Sequence, residues 1–187
     1  EPFLPHVTAG GDAFSEEKEA AELAARLAQL GAKLRAGPGR APEVVDLLLA
    51  PDFRGGLLQP LEEVAVSRHP SLQVFRARTM AKDLALDARA FGEQMLRLVE
   101  SFREVAVAEF LITAIEVERE KGFATTDVRY DIVGPGREAW RVERSGRWRL
   151  RWRRGDSGWR VIEWTARQAL RSRASRPVFA EVTAAAL

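Results

Sequence analysis

From Trp140 to Arg153 the side chains alternate so regularly that few backbones can accommodate them. Trp140, Val142, Trp148, Leu150 and Trp152 share one parity, and Arg141, Arg147, Arg149, Arg151 and Arg153 share the other. A period of two is the signature of a β-strand with one apolar and one solvated face. Ser145-Gly146 has the chemistry of a two-residue hairpin turn, but folding back there sets Arg149 opposite Val142 and Trp148 opposite Glu143. A continuous, bent strand keeps both faces pure, so residues 138–153 are expected to form one. A three-residue connection at Gly134-Pro135-Gly136 then sets Tyr130 opposite Trp140 and Val128 opposite Val142. A four-residue connection at Gly155-Asp156-Ser157-Gly158 sets Trp152 opposite Val161 and Leu150 opposite Glu163. On this register Tyr130, Trp140, Trp148, Trp152 and Glu163 face inward. Arg149, Arg151, Arg153 and Arg160 face outward, together with Ile162 and Trp164.

The rest of the chain supplies what covers the apolar face. Residues 1–14, with Pro2, Pro5 and Gly10-Gly11, read as an extended tail. Ser15 can cap a helix whose Leu23, Leu27, Leu30 and Leu34 form one stripe, and Gly37-Pro38-Gly39 stops it. A short second helix is expected from about Pro42, carrying Val44, Val45, Leu48 and Leu49, and ended by Pro51-Asp52 and Gly55-Gly56. A first strand is expected at 72–79. A third helix follows at about Asp87–Arg103, with Phe91, Met95, Leu98 and Phe102 at helical spacing. Strands are expected at 105–118, 123–133 and 159–169. Helices followed by a meander make this an α+β domain at 15–171, its N-terminal helices packed on a strongly bent antiparallel sheet. Residues 172–187 are expected to be a linker or the start of a following module.

Composition excludes whole classes of chemistry. The 187 residues include no Cys, so thiol catalysis and thiolate-held zinc or iron–sulfur clusters are ruled out, and with two His any metal would need mostly carboxylate ligands. Neither a Gly-rich phosphate loop nor a Gly-x-Ser-x-Gly elbow occurs, so no cofactor is expected. No apolar run approaches the roughly 18 residues of a membrane span. Charge is segregated: residues 137–176 carry 13 Arg against four carboxylates, whereas residues 1–136 are net acidic.

The order of helices and then long, bent antiparallel strands, with Ala50-Pro51-Asp52-Phe53-Arg54-Gly55 as a local motif, resembles the nuclear transport factor two-like (SnoaL-like, cystatin-like cone) superfamily. The resemblance implies a cone with a cavity between sheet and helices, found both in isomerases, dehydratases and cyclases and in non-catalytic binding domains. Separately, Arg176-Pro177-Val178-Phe179-Ala180-Glu181-Val182-Thr183 is similar to the lead-in of exported bacterial proteins with FG-GAP and ASPIC/UnbV-type repeats. That similarity implies a front domain, processed or excised from a larger exported protein and followed by a repeat domain.

Two functions are weighed. The favoured one is a non-catalytic binding or interaction domain, taking a small apolar ligand against Tyr130, Trp140, Trp148, Trp152 and Glu163, or pairing as a homodimer through the outer sheet face. In that face Arg149, Arg151, Arg153, Arg160 and Trp164 form the interaction surface, with nucleic acid the disfavoured occupant because no nucleic-acid motif accompanies it. The alternative, implied by the resemblance, is a small-molecule isomerase, lyase or cyclase with Tyr130 as hydrogen-bond donor and Glu163 as base. His69 reads as a loop histidine, and His6 lies in the tail.

Overall fold

The computed structural model describes residues 16–177. Helix α1 (Glu16–Arg35) leads through a 3-10 segment (Pro38–Glu43) into the single turn α2 (Val44–Leu48). Strands β1 (Leu49–Gly55), β2 (Glu62–His69) and β3 (Leu72–Thr79) follow, then helix α3 (Ala88–Val99). The remainder is β4 (Val107–Glu118), β5 (Phe123–Gly134), β6 (Arg141–Gly155) and β7 (Gly158–Ala174).

The seven strands form one sheet in the order β2-β3-β7-β6-β5-β4, with β1 parallel to β7. On the side of β7 away from β6, β1 takes Val161 to Trp164 and β3 takes Leu170 to Ala174. The helices close over one face. Leu23, Leu27, Leu30 and Leu34 of α1 are wholly buried, as are Phe91 and Met95 of α3. Asp87 caps α3 by accepting a hydrogen bond from the Ala90 amide at 2.8 Å, which leaves Phe91, Met95 and Leu98 on the buried stripe. Ser15, the expected cap of α1, lies outside the described residues.

β6 runs unbroken through Ser145-Gly146, as the alternation requires. Gly146 sits directly opposite Tyr130, whose ring covers it, and a Cβ there would lie 2.1 Å from the Gln168 carbonyl. Only a glycine lets the neighbouring strand pass that closely.

Two strands escape the hydropathy pattern. β1 contains Pro51, which reads as a breaker, and its ladder with β7 is interrupted between Leu49 and Arg54, the stretch that holds this proline. β2 is mostly polar and lies at the sheet edge, so it has no apolar face to announce it. The connection after β5 also differs from expectation. Gly134 pairs with Val142, and Tyr130 pairs with Gly146 rather than with Trp140. Residues 135–140 do not turn tightly because they dock on the chain after α3: the Arg103 amide donates to Pro135 O at 2.9 Å and the Arg137 amide to Ser101 O at 3.0 Å.

Candidate functional site

A cone offers two places for chemistry, the space between sheet and helices and the sheet's other face. The first is filled around its aromatic centre. Trp148, Trp152 and Trp164 have no exposed surface, and Tyr130 has 1%. Tyr130 stacks on Trp148 with centroids 4.1 Å apart, Trp148 meets Trp164 edge-on at 4.9 Å, and Phe91 closes on Trp164 at 5.1 Å. The Trp152 indole N–H donates to Thr126 Oγ1 at 2.9 Å, satisfying both polar atoms in the core. About 10 Å³ of space remains beside Tyr130, room for a single water molecule at most. Burial pushes the Tyr130 phenol above its ordinary pKa, so it stays protonated throughout the physiological range.

Glu163 is not beside Tyr130. The ladder pairs Trp152 with Val161 but Arg151 with Glu163, so β7 carries one extra residue, Ile162, at a bulge. One extra residue inverts the parity of every later position on the strand. Glu163 is thereby turned to the outer face, and Trp164, expected outside with the arginines, is turned into the core. A second irregularity between Arg147 and Trp148 puts Arg167 in excess. Trp140 is also displaced from its expected place, standing 48% exposed in the loop before β6. The Tyr130–Glu163 pair needed by the isomerase reading is thus split between two faces.

The outer arginines are largely occupied by neighbours. Arg153 grips Asp52 with two bonds of 2.7 and 2.8 Å, holding the Asp52 carboxyl below its usual pKa. Arg149 lies 3.8 Å from Asp127 and 4.0 Å from Glu116, and Arg160 donates to Asp46 O at 2.6 Å. The Arg151 guanidinium sits 5.1 Å over the Phe123 ring. Glu163 shares a shallow recess of 250 Å³ with Arg149, Arg151 and Arg167.

The unspent positive charge lies elsewhere. A groove of about 670 Å³ crosses the outer face where β3, β7, β6 and β5 meet, lined by Arg76, Arg78, Lys82, Arg129, Arg147 and Arg167 and, among the described residues, by no carboxylate. Of these six, only Arg78 has an ion pair among the described residues, with Glu62 at 3.2 Å. Half of the set comes from β3 and the residues just after it, a segment some 90 residues away in sequence from β7, so only the strand order brings the cations together. The local sequence carries no signal of it.

Other candidates are set apart. His69 is exposed at the β2–β3 turn, where its Nδ1 accepts from the Ser71 amide at 3.2 Å. His6 lies outside the described residues. Among the described residues no group of His, Asp and Glu is arranged to hold a metal ion, and no helix is long and apolar enough to cross a membrane.

Helices capping a strongly curved antiparallel sheet constitute an α+β fold of the cone-shaped, nuclear transport factor two-like kind. Solved structures agree on it. A scytalone dehydratase-like protein of Novosphingobium aromaticivorans matches with a TM-score of 0.59 and 13% identity over 89% of this chain and 98% of its own. A Mycobacterium tuberculosis protein of unknown function gives 0.53 and 13% identity over 86% and 78%. A Xanthomonas campestris protein resembling a calcium/calmodulin-dependent kinase II association domain gives 0.50 and 12% over 96% and 99%. No protein-family model matches the sequence, and no curated protein does.

Proposed function

We propose that this chain is a non-catalytic binding domain of a larger exported protein, and that it engages an acidic polypeptide through the outer face of its sheet. The observation that carries the reading is the groove of six cations with no carboxylate in its lining. Such a concentration of one sign raises the local density of an oppositely charged partner and speeds its capture. The closed interior supports a binding role over a catalytic one, because Tyr130 and Glu163 stand on opposite faces. The similarity of residues 176–183 to the lead-in of exported repeat proteins supports the larger context. Those residues lie almost wholly outside the described part of the chain.

The groove's chemistry narrows the partner. A two-fold dimer centred on it would set the six cations of one copy against those of the other, so a second copy is a poor occupant. No aromatic ring among the described residues lines it for base stacking, which disfavours single-stranded nucleic acid. Titration with polyglutamate and with an oligothymidylate, at low and moderate salt, tests the reading. Polyglutamate is expected to bind with steep salt dependence, and Arg147→Glu combined with Arg167→Glu to weaken it at least tenfold. Tighter binding of the oligothymidylate, or a dimer in sedimentation that the double variant dissolves, would overturn the acidic-partner reading. A reading frame that stops at Leu187 would overturn the larger-protein context.

A further inference from the structure

We propose that the open end of the cone is a binding site for the carboxylate group of a small organic anion, gripped by Arg144 and Arg171. The two arginines are direct cross-strand partners on β6 and β7, and both face the interior. Like charges set directly opposite each other repel, so the arrangement costs stability unless a counter-charge offsets it. Arg171 has one: it donates to Glu63 at 2.7 Å and lies over the Phe75 ring at 4.2 Å. Arg144 makes no ion pair among the described residues, and its Nε is buried without a partner. A half-buried guanidinium left in that state is the arrangement a ligand anion completes.

A recess of about 260 Å³ opens in front of these two arginines, room enough for a single small ring or a short chain. Ser101, on its wall, has a hydroxyl that is also buried and without a partner, a second donor or acceptor waiting at the same place. Ala139 and Val142 supply an apolar side for a hydrocarbon body. The planar fork of arginine matches a carboxylate with two parallel bonds. Glu100 and Glu138 on the rim disfavour a more highly charged phosphate. Burial of Arg144, and then the nearness of Arg171, depress its pKa against the opposing influence of Glu63, Tyr130 and Glu100. This site lies on the face opposite the basic groove, so it stands or falls independently of the acidic-partner reading.

Calorimetric titration of the full chain with benzoate, benzamide and inorganic phosphate tests it. Benzoate is expected to saturate one site at least tenfold more tightly than the uncharged, isosteric benzamide, and more tightly than phosphate. Arg144→Gln is expected to lose the benzoate site, while Arg149→Gln on the outer face keeps it. Equal binding of benzoate and benzamide, tighter binding of phosphate, or retention of benzoate by Arg144→Gln would each overturn the proposal. Should Arg144→Gln fail to fold by circular dichroism, Ser101→Ala decides: a loss of threefold or more in benzoate affinity supports the site, and unchanged affinity overturns it.

Discussion

The two faces of one sheet are built on opposite plans. The inner face is a continuous aromatic stack from Phe53 through Phe91, Trp164 and Trp148 to Tyr130, wholly withdrawn from water. The outer face is a lattice of arginine stems whose charges are partly spent on Asp52, Asp127 and Glu116 and partly left open in the groove. The inner face is governed by volume, since an apolar core has no tolerance for a gap. The outer face is governed by charge, where solvent screens each pair and few contacts matter singly. Stability is therefore concentrated on one side of a sheet that carries its open basic groove on the other.

That division is broken most forcefully through the tryptophans. Trp164→Ala and Trp152→Ala are each expected to cost about 3–5 kcal/mol, read by thermal or urea melting. A mild Trp164 variant would return that residue to the outer face and contradict the bulge at Ile162. Gly146→Ala comes next. Its new methyl would press on the Gln168 backbone and the Tyr130 ring, so a loss of about 1–3 kcal/mol is expected, with β6 and β7 amides exchanging faster. Arg151→Ala on the outer face is expected to change stability by only about 0–1 kcal/mol in the same melts.

Two smaller effects sharpen the electrostatic half of the comparison. Arg153 lowers the folded-state pKa of Asp52, so this pair contributes stability above the ordinary carboxylate pKa and loses it as pH falls through the lowered value. Asp52→Asn is accordingly expected to flatten the acid end of a stability–pH curve measured by denaturant melts. Asp131 has the opposite sign. Burial, then Glu143 and Glu109, raise its pKa, and its Oδ1 is buried without a partner, so the ionised form is a small burden at neutral pH. Asp131→Asn is expected to stabilise the fold by a few tenths of a kcal/mol at pH 7, a gain that shrinks as pH falls and the wild-type carboxyl protonates.

Much of this architecture is legible in residue spacing alone. The leucine stripe of α1, the Phe91–Leu98 stripe of α3 and the unbroken course of β6 each follow from a period that only one backbone satisfies. Strands β1 and β2 are illegible for opposite reasons, the first hidden behind a proline and the second lacking an apolar face. Register is where the reading of sites fails. A bulge adds one residue without changing composition or hydropathy, yet it exchanges Glu163 and Trp164 between faces and so separates Glu163 from Tyr130. The basic groove and the Arg144–Arg171 pair depend on which strands are neighbours, and local pattern does not encode that.

The position of β7 has a consequence for how the molecule is made. This last strand is the shared neighbour of β6, β1 and β3, and Leu49 finds its partner only at Val161. The hairpins from β4 onward can close as they are synthesised, each on its immediate predecessor. The first three strands have no finished sheet to join until residues near 174 emerge from the ribosome. Contacts so distant along the chain are slow to form, and apolar surface left waiting for them is open to misassociation. Nascent chains of this protein are thus expected to depend on chaperones until their final strand is released, and a truncation inside β7 to unseat the beginning of the molecule along with its end.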